Sequence, residues 1–359
     1  MNHPSGATAR SAPASAHLSG ILDGPVDGVS AAVGRTPLVR LAHLFPASDV
    51  EIFAKLESAN PGGSAKDRPA LAMVRDALRS GRLRPGGTVV ESSSGNLGVA
   101  LARVCRAHGI RFVCVVDLRA NVSTRALIRA LGGEVDLVTQ PDPDTGDLLT
   151  ARVHRVEELL REIPGAVTLG QYSNPANPGA HHDGTMREIA ETLDGRLDVM
   201  MSAVSTTGTI SGCARYIREH GLPTRTVAVD STGSVLFGGT AGVRHLPGMG
   251  AGMVTELSRH VEPDRVMRVD SVACVVGARL LAEREGILAG ASTGGVVHAL
   301  GTLVGELAPG TRVAFIVHDG GGAYLDTVYD DEWVARVLDT GPDQIATATA
   351  ALRDRATRG

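Results

Sequence analysis

The chain has 359 residues, 43% of them hydrophobic, which is enough to bury a large core in two domains. Its formal net charge is −4 and aromatic residues make up only 3%, so neither a basic face nor a base-stacking surface for nucleic acid is expected. No apolar run approaches the length of a membrane span, and Cys105, Cys114, Cys213 and Cys274 lack metal-ligand spacing, so buried reduced thiols in a cytoplasmic protein are expected.

In chain order, residues 1–28 are rich in Ala, Ser, Pro and Gly without the apolar centre of a signal peptide, and read as a disordered leader. From Glu51 strands and helices alternate. Thr88 to Glu91 ends a short strand, Ser92 to Gly98 is a polar turn, and Leu97, Ala100, Leu101, Val104 and Cys105 repeat at helical spacing. Phe112 to Val116 is a buried strand, Ser123 to Leu131 a helix with Ser123 as N-cap, Glu134 to Thr139 a strand, and Leu148 to Arg161 a helix. The pattern resumes with strand Leu197 to Val204, turn Ser205 to Thr209 and helix Ile210 to His220. Strand Thr226 to Asp230 precedes a Gly-rich loop, Ser234 to Gly252, whose Gly248 to Gly252 reads as a flexible lid. Val266 to Val269 is a strand, Val272 to Glu285 and Gly294 to Leu303 are helices, and Arg312 to Val317 is the last strand. This order predicts an α/β fold with mainly parallel sheets, and two strand-turn-helix junctions, at Ser92 and Ser205, suggest two sheets with a site between them.

Four segments carry chemistry. Only two of the 35 Lys and Arg residues are lysines, Lys55 and Lys66, and Lys66 lies in Asn60-Pro61-Gly62-Gly63-Ser64-Ala65-Lys66-Asp67-Arg68-Pro69. A turn delivers it to a helix start, where the backbone dipole disfavours an ammonium, and a neutral amine can attack an aldehyde. The bland alternative is a surface lysine at a helix start. Ser92-Ser93-Ser94-Gly95-Asn96-Leu97-Gly98 places hydroxyls and amides where a carboxylate or phosphate would bind. A dinucleotide site is the rival, with Asp117 at the end of the next strand, but the first glycine of that fingerprint is missing. Ser205-Thr206-Thr207-Gly208-Thr209 suits a phosphate ester, or is an ordinary polar turn. In Gly286 to Gly295, Ser292 opens a helix and so reads equally as a cap. His181-His182-Asp183 lacks further ligands at metal spacing, and no metal is expected.

Together and in this order, these segments resemble the cysteine synthase/cystathionine β-synthase family of fold-type II pyridoxal-phosphate (PLP) enzymes. The resemblance runs from Gly34-Arg35-Thr36-Pro37-Leu38 to Gly295 and includes Gln171-Tyr172-Ser173-Asn174-Pro175-Ala176-Asn177-Pro178. It implies two doubly wound domains with PLP between them. The large PLP-binding domain would comprise 29–54 and 166–338, the small mobile substrate domain 55–165, and a C-terminal tail 339–359.

The resemblance also implies roles. Lys66 would hold PLP as a Schiff base and move the Cα proton. Asn96 would meet the cofactor's ring hydroxyl, Ser205, Thr206, Thr207, Gly208 and Thr209 its phosphate, and Ser292 its pyridine nitrogen. Ser93, Ser94, Gly95, Leu97 and Gln171 would line the substrate site. A serine at the ring nitrogen cannot fix a pyridinium as a carboxylate does, which favours β-elimination over transamination.

Departures narrow the branch. Cysteine synthases usually have Thr where this chain has Ser93 and Leu97, Gly in place of Thr207, and Thr-Thr-Gly-Pro-Glu in place of Gly184-Thr185-Met186-Arg187-Glu188. With the ending Tyr324 to Trp333, the chain looks like the siderophore- and peptide-antibiotic-pathway branch, the N-(2-amino-2-carboxyethyl)-L-glutamate synthases. These join O-phospho-L-serine to L-glutamate on the route to 2,3-diaminopropionate. Arg152, Tyr172 and Ser205 are the candidate receivers of that acidic pair, against an exposed helix charge for Arg152 and aromatic packing for Tyr172. A sulfhydrylase using O-acetylserine or O-phosphoserine is the enzyme alternative, and a non-catalytic regulatory protein with a relict PLP site the alternative of another class. The resemblance suggests a homodimer, and the pathway a partner dehydrogenase acting on the product.

Overall fold

The computed structural model describes residues 28–118, 120–144, 146 and 148–355, so the expected leader lies outside the described residues apart from Gly28. The strands are β1 (Leu38–Leu41), β2 (Glu51–Leu56), β3 (Thr88–Ser92), β4 (Arg111–Asp117), β5 (Glu134–Val138), β6 (Val199–Ala203), β7 (Arg225–Ser231), β8 (Arg265–Val269) and β9 (Arg312–Val317). The helices are α1 (Asp67–Arg79), α2 (Asn96–Ala107), α3 (Val122–Ala130), α4 (Leu148–Glu162), α5 (Ala176–Ala180), α6 (Arg187–Thr192), α7 (Gly208–Glu219), α8 (Ser271–Glu285), α9 (Ala291–Leu303), α10 (Asp331–Leu338) and α11 (Pro342–Arg355).

Two sheets form. One has six strands in the order β1-β2-β9-β6-β7-β8, and the other three in the order β3-β4-β5. Every pairing is parallel except β1 with β2. Parallel strands joined through helices are covered on both faces, which is why β4, β6 and β9 read as uninterrupted apolar runs. On the six-stranded sheet, Val199, Met201, Val313 and Phe315 pack with α8 and α9, while Met200, Ala314 and Ile316 pack with α6 and α7. On the three-stranded sheet, Phe112, Cys114 and Val116 face α1 to α3, and Val90, Val113 and Val115 face Val156 and Leu159 of α4. The three-stranded unit is inserted between β2 and β6, yet β2 closes onto β9 in the register Glu51↔Arg312 to Leu56↔Val317.

Helices α8 and α9 touch backbone to backbone. A Cβ on Gly277 would lie 2.0 Å from Gly294 O, and one on Gly294 2.0 Å from Cys274 O, so neither position accepts a larger residue without separating the helices.

Several expectations are corrected. Helix α3 starts at Val122 after Asn121, not at a Ser123 cap. Helix α9 starts at Ala291 behind Gly290, so Ser292 sits inside its first turn and does not cap it. Strand β1 and the helical stretch 176–192, with its π-turn His181–Met186, carry too little hydrophobic periodicity to be read. The stretch 339–359, expected as a tail, contains α11, whose Ile345 and Leu352 are buried in the same core as α8 and α9. The expected lid is tied down: Gly250 N donates to Val204 O at 2.7 Å, Ala251 N to Ser234 Oγ at 3.0 Å, and Met249 and Ala251 are buried.

Candidate active site

The C-terminal ends of β3, β6 and β9 converge on one cavity of about 450 Å³. In open parallel sheets ligands bind there because the following turns and helix N-termini present unpaired amides. Every residue expected at the site lines this cavity: Lys66; Ser93, Ser94, Gly95, Asn96 and Leu97 after β3; Ser205, Thr206, Thr207, Gly208 and Thr209 after β6; Ser292 of α9; Gln171 and Tyr172; and Arg152 of α4.

Lys66 is the residue before α1, half-buried. Burial lowers its amine below the ordinary lysine range, and the nearby Asp319 carboxyl opposes that shift. Lys55 is buried in an ion-pair network away from the cavity, where Nζ donates to Thr36 O and pairs with Glu188 Oε2, both at 2.7 Å. Arg68 joins the network, gripping Glu57 through Nε and Nη2 at 2.6 and 2.7 Å and Glu188 through Nη1 and Nη2 at 2.7 and 2.8 Å. One lysine is thus retained for structure and the other faces the cavity.

The turn after β6 has the shape of an anion cradle. Thr207 takes a left-handed conformation with φ 66°, and α7 begins at Gly208. A Cβ on Gly208 would lie 2.1 Å from Asn177 Oδ1, so only glycine lets the cradle sit against the 174–178 turn. Asn177 in turn donates to Gln171 O at 2.8 Å, which ties that turn to the cavity wall. His181 lies behind the cradle, bonded to Thr185 Oγ1 at 2.9 Å and Thr209 Oγ1 at 3.3 Å, and burial pushes its imidazole down to about 3. Among the described residues no three His, Cys, Asp or Glu side chains group as metal ligands. All four cysteines are free and buried.

At the 92–98 turn, Ser93 Oγ accepts from Gly98 N at 3.0 Å and so holds the turn onto α2. Arg152 is 9% exposed, with Nε 3.3 Å from Asp117 Oδ2, which rules out the exposed helix charge. Tyr172 is 37% exposed and lies on the cavity wall, so it is not a packed core aromatic.

Further cavity residues were not expected from the sequence, among them Glu91, His318, Asp319 and Met253. Glu91 Oε2 accepts from Thr168 Oγ1, Leu169 N and Gly170 N at 3.0–3.1 Å, and burial raises its carboxyl pKa. His318 Nε2 accepts from Ala203 N at 3.2 Å, which leaves its proton on Nδ1, and burial pushes it down to about 3. Their signal was available in part. Val317 to Gly322 is a third strand-to-polar-turn junction of the same kind as Ser92 and Ser205.

These parts fit PLP: an amine with lowered basicity for an aldehyde, a hydroxyl-rich helix-opening cradle for a phosphate, and a buried Ser292 hydroxyl on the wall between them. The chain belongs to the pyridoxal-phosphate-dependent enzyme family, whose model matches residues 29–319, and its cofactor is PLP. It is 46% identical over 305 residues to an N-(2-amino-2-carboxyethyl)-L-glutamate synthase of Ralstonia nicotianae, covering 85% of this chain and 90% of the relative. It is 43% identical over 309 residues to the protein of that name from Cupriavidus metallidurans, with the same coverage. Among solved structures, an O-acetylserine-dependent cystathionine β-synthase from Helicobacter pylori superposes with a TM-score of 0.78 at 28% identity, covering 85% of this chain and 98% of that one.

Proposed function

We propose that the chain joins O-phospho-L-serine to L-glutamate, releasing phosphate and forming N-(2-amino-2-carboxyethyl)-L-glutamate, a precursor of 2,3-diaminopropionate. The observation that carries this reading is the buried Arg152 guanidinium in the same cavity as Lys66 and the Ser205 to Thr209 cradle. A cation and the Tyr172 and Ser205 hydroxyls suit a pair of acidic substrates, whereas sulfide would need none of them. The names of the two bacterial relatives agree with it.

Bound PLP supplies the electron sink that acidifies the substrate's Cα hydrogen. Lys66, whose amine burial makes less basic, is the base that would take that proton as phosphate leaves Cβ, and it would return the proton after the glutamate amine has bonded to Cβ. Ser93, Ser94, Gly95 and Leu97, with Gln171, seat the substrate carboxylate. Thr206, Thr207, Gly208 and Thr209 would hold the cofactor phosphate, Asn96 would meet its ring hydroxyl and Ser292 its ring nitrogen. The unit that holds the three-stranded sheet, expected as 55–165 but starting after β2 because Lys55 and Leu56 pair with β9, acts as the small domain closing on the large one, which continues through 166–338, to exclude water. The enzyme works as a cytoplasmic homodimer, and a dehydrogenase acts on its product. Among the described residues no helix is long and apolar enough to cross a membrane.

The test is mass spectrometry of products when phosphoserine or acetylserine is offered with glutamate or sulfide. The expected product is the glutamate adduct from phosphoserine. Cysteine formed at a much higher rate than that adduct makes the chain a sulfhydrylase and refutes the reading.

A further inference from the structure

Three segments that bring residues to the cavity wall come from distant parts of the chain: Gly63 to Lys66, which supplies Lys66, Ser92 to Leu97, and Ala289 to Ser292, which supplies Ser292. A fourth, His318 to Gly320, directly after β9, joins them. Its backbone serves two of the three. Ala65 N donates to His318 O at 2.7 Å, Gly320 N to Gly63 O at 3.3 Å, and Gly290 N to Asp319 O at 3.2 Å. Isolated bridges pair Ser64 with Asp319 and Ala289 with Gly320.

The Asp319 side chain reaches the third. Its Oδ2 accepts from Asn96 Nδ2 at 2.7 Å and from the Tyr324 hydroxyl at 2.7 Å. Asn96 opens α2 beside the three-stranded sheet, whereas Asp319 follows the central strand of the other, so this bond links the two halves of the cavity. Asp319 is 4% exposed, and its Oδ1 has no hydrogen-bond partner among the described residues. A Cβ on Gly290 would lie 2.1 Å from that Oδ1, so the Ser292 loop is also shaped around this carboxyl group. Burying a carboxyl group is costly, and here the cost is offset by the hydrogen bonds from Asn96 and Tyr324 and by the nearby Lys66 amine.

We propose that Asp319, steadied by Tyr324, is a positioning residue: it holds the Asn96 amide in the orientation that meets the ring hydroxyl of the cofactor. The inference rests on the placement of Asn96 at that hydroxyl. An amide tethered at 2.7 Å presents its remaining N–H in a fixed direction, and an untethered one samples other rotamers. The ring hydroxyl sets the electronic form of the Lys66-bound cofactor, so the orientation of Asn96 is read in the balance between its long- and short-wavelength absorption bands.

The experiment compares the holoenzyme with Asp319→Ala, Asp319→Asn, Tyr324→Phe, Asn96→Ala and the double Asn96→Ala/Asp319→Ala variants, by absorbance and by steady-state kinetics. Asp319→Ala is expected to shift the band balance in the direction of Asn96→Ala and to lower kcat by roughly tenfold to a hundredfold, the range for a hydrogen bond to a charged group. Asp319→Asn, whose carbonyl oxygen can still accept both bonds, restores the band balance. In the Asn96→Ala background the second substitution changes kcat by less than about twofold, because Asp319 acts through Asn96. An Asp319→Ala holoenzyme with an unmoved band balance, beside a moved Asn96→Ala, overturns the proposal. So does an Asp319→Asn variant as impaired as the alanine. An unmoved Asn96→Ala removes Asn96 from the ring hydroxyl and the proposal with it. If Asp319→Ala does not fold, Tyr324→Phe decides: a smaller shift in the same direction is expected, and none overturns the assignment.

Discussion

Arg152→Ala tests the proposed substrate pair most directly. The guanidinium is 9% exposed, so its field in the cavity is poorly screened by solvent. At about 4 Å and an effective dielectric constant of about 20, its attraction for a substrate anion is about 4 kcal/mol. Asp117, its partner at 3.3 Å, stands behind it and repels the same anion. Taken at about twice the distance, that carboxylate cancels about 2 kcal/mol and leaves a net of about 2 kcal/mol, roughly thirtyfold in kcat/KM. The assay measures kcat/KM for O-phosphoserine and for O-acetylserine with glutamate held saturating. Arg152→Ala should cost roughly thirtyfold with phosphoserine and much less with acetylserine, whose acetyl ester is uncharged in the substrate and departs as a monoanion. A loss below about threefold with phosphoserine, the scale of an ordinary surface charge, refutes Arg152 as the receiver of that anion. An equal loss with both donors places it at a group they share, such as the α-carboxylate.

Lys66→Ala should abolish both the absorbance of covalently held cofactor and turnover; condensation near the wild-type rate would remove Lys66 from the chemistry. Glu188→Ala should destabilise the fold by about 3–5 kcal/mol in denaturant titration, because Lys55 and Arg68, with side chains 2% and 5% exposed, would share the single carboxylate of Glu57. Stability should also fall as pH drops below 6.5, because His181 and His318 stay neutral in the folded chain down to about 3 while the unfolded chain takes up both protons. Since the unfolded state binds more protons in that window, stability rises with pH across it. Between pH 6.5 and about 5.5, above the usual carboxylate range, the slope should approach that of two histidines, and an unfolding free energy flat over this interval would contradict their burial as neutral rings.

The local pattern determined the parallel α/β fold and the polar turns that follow its strands, while the cofactor roles of those turns came only with the family resemblance. Short uninterrupted apolar runs such as Phe112 to Val116 and Val313 to Val317, bounded by turn residues, suit strands covered on both faces, and the polar turns at Ser92 and Ser205 follow such strands directly. Lys66 was legible because its chemistry needs an amine at a helix-opening turn, a constraint confined to ten consecutive residues. Short elements were not legible. Four-residue β1 has no periodicity to detect, and the π-turn at 181–186 follows from contacts with α7 that no local rule encodes. What the fold adds is the surroundings of each lysine: Lys55 meets Glu188 and Thr36 O, whereas Lys66 lines the cavity.

Tertiary structure also decided which distant residues meet. Asp319 lies 223 residues from Asn96 and Asp117 lies on a different element from Arg152, and neither contact leaves a trace in spacing. Burial likewise turned Arg152 from one arginine among many into a desolvated cation on the cavity wall. The physical reason is common to these cases. Hydrophobic period and turn chemistry act over a few neighbouring residues, whereas desolvation and hydrogen-bond partnership are set by whatever the packed chain brings within a few ångströms.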